Sequence, residues 1–420
     1  MKVLISAYAC EPNKGSEPGV GWNWVRAAAS SHEVWVLTRA NNRSAVEAAL
    51  ERGPIPSLHF IYLDLPWMLR VWKHGRLRVR VYYSLWQLEA ARVARALHRQ
   101  HQFDVVHHLT FANLWFPGLV CAARAPFVLG PCSGGQSVPL RLYPALGLAG
   151  SATEVMLRLG KAVSRLNPLV QFTWSRASVI VVNNEETRQA LPRRHRRKVL
   201  LRTNASLEAQ PLEIAKPARR ADRPLKAVCA GRLNVFKGVA LAIEALCFAR
   251  CWQLIVIGAG REESRLRRLS ERLNLQERVV FREWLGHREL MDEIGAADAL
   301  VLPSLKEGAS FVAVEAQARH VPVVALAQGG PAQLARVPNA QFELVAPGRR
   351  SSCVLGLAAA LERVQQTPAR MFWPDFSLAG VSRDVNAIYQ TAASHTPLRH
   401  YRRMRRSKPC KHQHEPGVTG

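Results

Sequence analysis

Two segments in the second half of this chain carry residues whose types and spacing could hold a phosphorylated ligand. The first is Gly231-Arg232-Leu233-Asn234-Val235-Phe236-Lys237-Gly238, directly after an apolar run, 225–230, that reads as a strand. Two cations and a backbone that glycine lets approach closely are the means to bind a diphosphate. A solvated basic loop would have the same composition. The second is Pro303-Ser304-Leu305-Lys306-Glu307-Gly308-Ala309-Ser310-Phe311, which follows the run 299–302 and leads into a helix carrying Val314-Glu315-Ala316. Glu307 ends this loop, and Glu315 sits about two turns into the helix. Small residues at Gly308, Ala309 and Ser310 leave the helix start open, so that its N–H groups and dipole can receive a phosphate or sugar oxygen. One carboxylate can accept hydrogen bonds from sugar hydroxyls and the deeper one from a ribose. A glutamate at a helix start is also an ordinary dipole partner.

The first half offers three more segments. Gly15-Ser16-Glu17-Pro18-Gly19-Val20-Gly21 is a glycine-rich turn between a first strand and a helix containing Trp22 and Trp24. Through Gly19 and Gly21 it could approach a phosphate, although tight turns need glycine for their own sake. His107-His108-Leu109-Thr110 ends another strand. Either histidine could reach a bound sugar, His108 being nearer the strand end, and either could be a buried structural residue. Gly130-Pro131-Cys132-Ser133-Gly134-Gly135-Gln136 follows a further strand, with Gly134 and Gly135 placed to line a cleft.

The elements that must position these residues alternate short apolar runs with longer helical stretches, the pattern of a parallel sheet covered on both faces. Strands are expected at 2–8, 33–37, 58–62, 104–107, 127–129 and 178–182, and again at 225–230, 253–257, 278–281, 299–302 and 321–325. Helices are expected at 19–29, 84–99 and 151–174. In doubly wound sheets ligands bind beyond the carboxyl ends of strands, where all of these loops fall. The chain thus divides into an N-terminal Rossmann-like domain, 1–208, a Pro-, Ala- and charge-rich linker, 209–224, and a C-terminal Rossmann-like domain, 225–390. A basic tail, 391–420, opens with Arg399-His400-Tyr401-Arg402-Arg403 and reads as disordered.

A length of 420 residues suits two domains of about 200 each, and 48% hydrophobic residues can fill two cores. The net charge of +27, from 58 Lys+Arg against 31 Asp+Glu, calls for an anionic partner: nucleic acid, an acidic membrane surface or a phosphorylated substrate. No nucleic-acid module is present and the cations are spread through both halves, which makes nucleic acid the weakest of these. The eight cysteines form no CxxC and no zinc-ligand cluster, as befits a reducing cytoplasm. Lys2 and the run 3–9, ending in Ala9-Cys10, have the outline of a lipoprotein signal, but the run is about the minimum length and reads better as a buried strand. No apolar stretch of about 20 residues could span a membrane. The stretch 67–86 interleaves Trp67, Trp72, Tyr82, Tyr83 and Trp86 with Arg70, Lys73, Arg76, Arg78 and Arg80. It would suit an anionic membrane surface, or equally a helix with its aromatics packed inward.

In order and in separation, four pieces resemble the retaining glycosyltransferases of GT-B fold often called family 4, or glycosyl transferases group 1. They are the G-R-L-x-x-x-K-G loop, the turn Val256-Ile257-Gly258-Ala259-Gly260, the E-x7-E segment from Glu307 to Glu315, and Pro322-Val323-Val324 with Gly329-Gly330-Pro331. The resemblance implies two doubly wound domains facing across a cleft and transfer of a sugar, with retention, from a nucleotide-diphosphate donor to a saccharide or lipid-linked saccharide. Surface or exopolysaccharide synthesis is the expected setting. Arg232 and Lys237 would hold the diphosphate, with Gly231 and Gly258 in the same floor. Glu307 would hold the transferred sugar and Glu315 the ribose, while backbone N–H groups at Gly308, Ser310 and Phe311 cradle phosphate. A histidine, His108 or His107, would contact the sugar. No DxD motif occurs, so the resemblance implies a reaction without metal or other cofactor. Gln317 and His320 stand where the family usually has Met and Gly. A cytoplasmic enzyme, peripheral on the inner face of the plasma membrane, is the expected location. The competing expectations are another GT-B enzyme, such as a sugar-nucleotide epimerase or a phosphorylase, a silent relative, or a nucleic-acid-binding protein.

Overall fold

The computed structural model describes residues 1–69, 76–207, 224–366 and 376–394. Two parallel sheets carry the architecture. The first contains β1 (Lys2–Ser6), β2 (Glu33–Arg39), β3 (Leu58–Leu63), β4 (Val105–His108), β5 (Phe127–Cys132), β6 (Ala177–Val182) and β7 (Val199–Leu201), in the order β3-β2-β1-β4-β5-β6-β7. Its helices are α1 (Ser16–Ala29), α2 (Arg43–Arg52), α3 (Arg76–His101), α4 (Tyr143–Leu166), α5 (Pro168–Arg176) and α6 (Glu185–Ala190). The second contains β8 (Leu225–Ala230), β9 (Trp252–Ile257), β10 (Val279–Arg282), β11 (Ala299–Leu302), β12 (Val323–Leu326) and β13 (Phe342–Val345), in the order β10-β9-β8-β11-β12-β13. Its helices are α7 (Val239–Ala245), α8 (Glu263–Arg272), α9 (His287–Gly295), α10 (Phe311–Gln317), α11 (Gly329–Leu334) and α12 (Arg350–Gln366). The chain ends, among the described residues, with α13 (Leu378–Ala393).

Both sheets are doubly wound, and each reverses its strand order beside its first strand, between β1 and β4 and between β8 and β11. The crevices of such folds open at these switch points. The central strands read as unbroken apolar runs because both faces are covered: all four residues of β4, β11 and β12 are buried.

The expected strands are present, and the sequence reading missed two short edge strands, β7 and β13. It also ran one helix through 151–174. Asn167 divides that stretch in two, its side chain accepting from the Leu169 N–H at the start of α5, with Pro168 as the first residue of the new helix. Within α4, Gly147 leaves helical geometry (φ 67°, ψ 178°), so the regular helix starts after it.

The last helix departs from the expected partition. It was assigned to the C-terminal domain with a tail from 391, but α13 continues to Ala393 and packs on α1 of the N-terminal domain. Val381, Val385, Ile388 and Tyr389 share a core there with Trp24, Val25 and Ala28. Asp384 meets Arg202 in a buried ion pair. Of the expected linker only Pro224, and of the expected tail only 391–394, lie within the described residues.

Of the stretch 67–86, α3 carries Tyr82, Tyr83 and Trp86 into the N-terminal core, all buried, while Trp67 is exposed. These three aromatics therefore follow the inward-packing alternative. Arg70, Trp72 and Lys73 lie outside the described residues. No helix among the described residues is long and apolar enough to cross a membrane.

Candidate active site

The loops after β8 and β11 leave neighbouring strands, and their charged residues meet. Lys237 Nζ lies 2.6 Å from Glu307 Oε2, and Ser304 Oγ donates to the same oxygen at 3.0 Å. Two turns build this contact. Asn234 accepts from the Phe236 N–H, starting a short helical turn that carries Lys237 back toward the strand ends. Gly238 then takes a left-handed conformation (φ 65°), and a Cβ there would stand 2.1 Å from Pro303 O, so only glycine lets the loops come this close. Arg232 is exposed at the same edge, and its guanidinium has no partner among the described residues. Gly231 faces Lys237, and Gly258 lies against the Gly231 carbonyl, where a Cβ would be 2.1 Å from that oxygen. These residues come together as a small floor with Ser304.

Behind Glu307 the loop is braced by Gly329-Gly330. Gly330 N donates to Glu307 O at 3.2 Å, and Gln328 Nε2 donates to Ser304 O at 2.9 Å. Ser310 stands at the start of α10 in a left-handed conformation (φ 58°), buried, with its Oγ unpartnered. The first N–H groups of α10 lack intrahelical acceptors, as at any helix start. Glu315 lies deeper, paired with His287 Nε2 at 2.7 Å. His287 opens α9, and sequence reading missed it. The signal available was Gly286, which caps that helix and leaves His287 as the first residue to project.

Glu315 and His287 line a cavity of about 410 Å³ between the domains, together with Phe311 from α10, Asn13 and Lys14 from the loop after β1, and Ser16 at the start of α1. That volume lies within the usual range for a small-molecule site. Gly19, in the first turn of α1, lines this cavity, whereas Gly21 is buried further along the helix and does not. A Cβ on Gly19 would fall 1.9 Å from Lys14 O, and one on Gly21 2.1 Å from Ala9 O. These two glycines let the loop fold tightly over its helix, and the segment meets the cavity through residues 13–16 together with Gly19, Val20 and Asn23.

The loops at the carboxyl edges also hold Asn13 (φ 57°), Ser16 (φ 62°), Phe111 (φ 56°) and Ser310 in left-handed backbone that non-glycine residues rarely adopt. Such strain costs on the order of 1 kcal/mol per residue and persists where surrounding contacts hold it. For Phe111 the holding contact is its N–H to Glu17 Oε1, at 2.7 Å. Burial pushes the Glu17 carboxyl above its usual range, against that hydrogen bond.

Neither histidine is brought to the cleft. His107 is buried between Tyr389 OH, 2.8 Å from its Nδ1, and Gly130 O, 2.5 Å from its Nε2. His108 is buried under Tyr83, whose hydroxyl lies 3.1 Å from its Nε2. Burial lowers the pKa of His107 to about 4 and, with His107 alongside, that of His108 to about 3. Both are neutral at pH 7. The expectation that His108, or failing it His107, contacts the sugar is corrected accordingly: burial leaves neither ring a path to a ligand.

The loop carrying Gly134 and Gly135 does reach the donor side. Ser133 Oγ accepts from Asn183 Nδ2 at 2.6 Å and stands against Gly308, whose carbonyl accepts from Asn184 Nδ2 at 2.7 Å. Gly134 and Gly135 are wedged against Asn113 and Thr187, so their smallness serves the packing of this wall. Across the same seam Glu186 accepts from Gly329 N–H at 2.8 Å, and the fully buried Glu154 meets Lys306 at 3.1 Å.

Residues 212–363 match the family model described as Glycosyl transferases group 1, which covers the floor, Glu307 and Glu315. Over 337 residues, 72% of this chain and 71% of the relative, the chain is 26% identical to a D-inositol 3-phosphate glycosyltransferase of Acidothermus cellulolyticus. Its fold is similar to that of the lipopolysaccharide outer core galactosyltransferase WaaB (TM-score 0.59, 14% identity, 96% of this chain and 100% of that one). It is similar also to Anabaena HepE crystallised with UDP (TM-score 0.55, 20% identity, 94% and 99%). The fold is GT-B, two Rossmann-like domains facing across a cleft. Fold, family match and relatives together define a glycosyltransferase.

Proposed function

We propose that this chain transfers a sugar from a nucleotide-diphosphate donor, with retention and without a metal ion, to a saccharide or lipid-linked saccharide acceptor in the assembly of a surface or extracellular polysaccharide. The observation that carries the reading is the Lys237–Glu307 contact at the switch point of the second sheet, with Arg232 beside it and the Glu315 cavity beyond. A leaving diphosphate needs its growing negative charge met at the moment the glycosidic bond breaks. Lys237 and Arg232 are cations at the strand ends, and charge-assisted contacts to a developing charge are a large source of rate in such sites.

With donor bound, Lys237 turns from Glu307 to a phosphate oxygen, and Glu307 accepts hydrogen bonds from the sugar hydroxyls. Glu315, oriented by His287, accepts from the ribose. The unpartnered Ser310 Oγ and the first N–H groups of α10 supply neutral donors to the phosphates. Ser133, Gly134 and Gly135, across from Gly308, would form the acceptor wall. No side chain is assigned as a covalent nucleophile; positioning and charge stabilisation do the work.

The test is turnover with a panel of UDP-, GDP- and ADP-sugars, with and without EDTA, and simple saccharides and D-inositol 3-phosphate as acceptors. The anomeric configuration of the product is read by NMR. A product of inverted configuration, or activity abolished by EDTA and restored by a divalent ion, would contradict the mechanism. Donor turned into its epimer without any acceptor would move the reading to an epimerase.

A further inference from the structure

The helix α4 is amphipathic in the reverse of the usual sense. Leu148, Ala152, Val155, Leu159, Val163 and Leu166 recur at spacings of three and four and fall on one helix face. This apolar face points away from the protein: Leu148, Met156, Leu159, Val163 and Leu166 are 94%, 73%, 62%, 70% and 78% exposed. Three polar residues, Glu154, Arg158 and Lys161, face inward. Glu154 is fully buried and accepts from Val138 N–H, Arg158 donates to Val138 O, and Lys161 Nζ donates to Ser137 Oγ at 3.0 Å. A surface helix ordinarily buries its apolar stripe. Here the protein spends its polar contacts to hold that stripe outward, and Leu169 and Phe172 of α5 are exposed next in the chain.

The charge around the stripe has one sign. Between residues 140 and 176 the one acidic side chain is the buried Glu154, whereas Arg141, Arg165 and Arg176 are exposed. Arg194 Nη2 reaches Gln171 at 2.8 Å, which sets Arg193, Arg194 and Arg197 beside α5. A second copy of the chain laid on this face by a twofold axis would oppose these arginines to one another. Acidic lipid headgroups would neutralise them while the stripe entered the acyl boundary.

We propose that the outward face of α4, rimmed by these arginines, docks the enzyme on an anionic lipid membrane, the helix lying in the plane of the interface. The regular part of α4, 148–166, is about 28 Å long at 1.5 Å per residue. Its base is tied to the donor loop through Glu154 and Lys306 and packs through Gly150 against Val235. Docking therefore holds the cleft beside the bilayer. The surface goes beyond the transferase reading and stands without it, since binding is measured in the absence of donor.

The test is co-sedimentation of the full chain with vesicles of phosphatidylcholine, with and without phosphatidylglycerol. The variant is Met156→Gln, Leu159→Gln and Val163→Gln together, three exposed positions whose change leaves the core intact; an unchanged melting temperature is the check. The wild type should bind the anionic vesicles, release as salt rises, and bind neutral ones weakly, and the triple variant should lose at least tenfold in partitioning. Equal binding to both vesicle types, unchanged binding by the folded triple variant, or a wild-type dimer that the variant dissolves and that ignores vesicles would each overturn the proposal. Vesicle binding by a chain that turns over no donor would sink the transferase reading and leave this one standing.

Discussion

Lys237 and Glu307 are 70 residues apart in sequence and 2.6 Å apart in space, because β8 and β11 are neighbours at the reversal point of the second sheet. The pair is partly exposed (28% and 14%), so it contributes little to stability, on the order of 1 kcal/mol or less. Its position in the site is what gives it a role. Lys237→Ala should lower kcat by a factor of about 100 to 1000, the usual cost of one preorganised donor, with a melting temperature close to that of the wild type. A folded Lys237→Ala enzyme with wild-type turnover would remove the phosphate role.

Glu315 and His287 should act on donor affinity more than on chemistry. Glu315→Gln and His287→Ala should each raise the donor KM about tenfold and leave kcat nearly unchanged, the pattern of an interaction equally strong in ground and transition states. The same variants should shrink the thermal shift given by the nucleotide alone. A fall in kcat with KM constant would place the pair at the reacting centre instead.

His107 and His108 should contribute to the acid limb of stability. Both have a folded pKa below the unfolded value of about 6.5, so between these values the unfolded chain binds more protons. Stability is therefore full above about pH 6.5 and is lost as pH falls, through about 4 for His107 and about 3 for His108. The contribution of His107 is on the order of 3 kcal/mol. Urea unfolding at a series of pH values should show this slope, and His108→Gln should flatten it. An unaltered slope would mean that carboxylates alone control acid unfolding.

Helix α13 should be a structural part of the N-terminal domain. Asp384→Ala removes the carboxylate that faces the buried Arg202, a change that costs about 3–5 kcal/mol. Removing the chain from Leu378 onward should do more, since it also exposes Trp24 and its neighbours. A truncated chain melting like the full one would contradict the packing described.

Gly21→Ala should destabilise by several kcal/mol, because its Cβ would meet Ala9 O at 2.1 Å and neither backbone can move cheaply. Gly160→Ala is the matched control: nothing lies within 4 Å, and alanine is favoured over glycine in a helix by about 1 kcal/mol. Opposite shifts in melting temperature are expected, and equal shifts would show that close approach at Gly21 is unimportant.

Much of this was legible from residues alone. Apolar runs located the central strands, since a strand buried on both faces has no other composition. The two donor-side loops were readable because cations, glycines and carboxylates follow strand ends directly. What sequence does not carry is direction. Nothing in the composition of 378–393 shows which domain receives it, and the apolar stripe of α4 would ordinarily be read as core. His107 and His108 end a strand at a ligand-binding edge, yet β4 is covered on both faces, and the rings point into that cover. His287 was missed because its partner, Glu315, lies 28 residues on and is brought near only by the packing of α9 on α10.

The central claim is that this cleft binds a nucleotide-diphosphate sugar through Lys237, Arg232, Glu307 and Glu315. The most direct test is the thermal shift of the folded wild type with UDP, GDP, ADP and their common sugars, with and without EDTA, repeated on Lys237→Ala. A selective, EDTA-insensitive stabilisation by one nucleotide, lost in the folded Lys237→Ala chain, is the expected result. No stabilisation by any nucleotide, or a shift that survives Lys237→Ala unchanged, would contradict it.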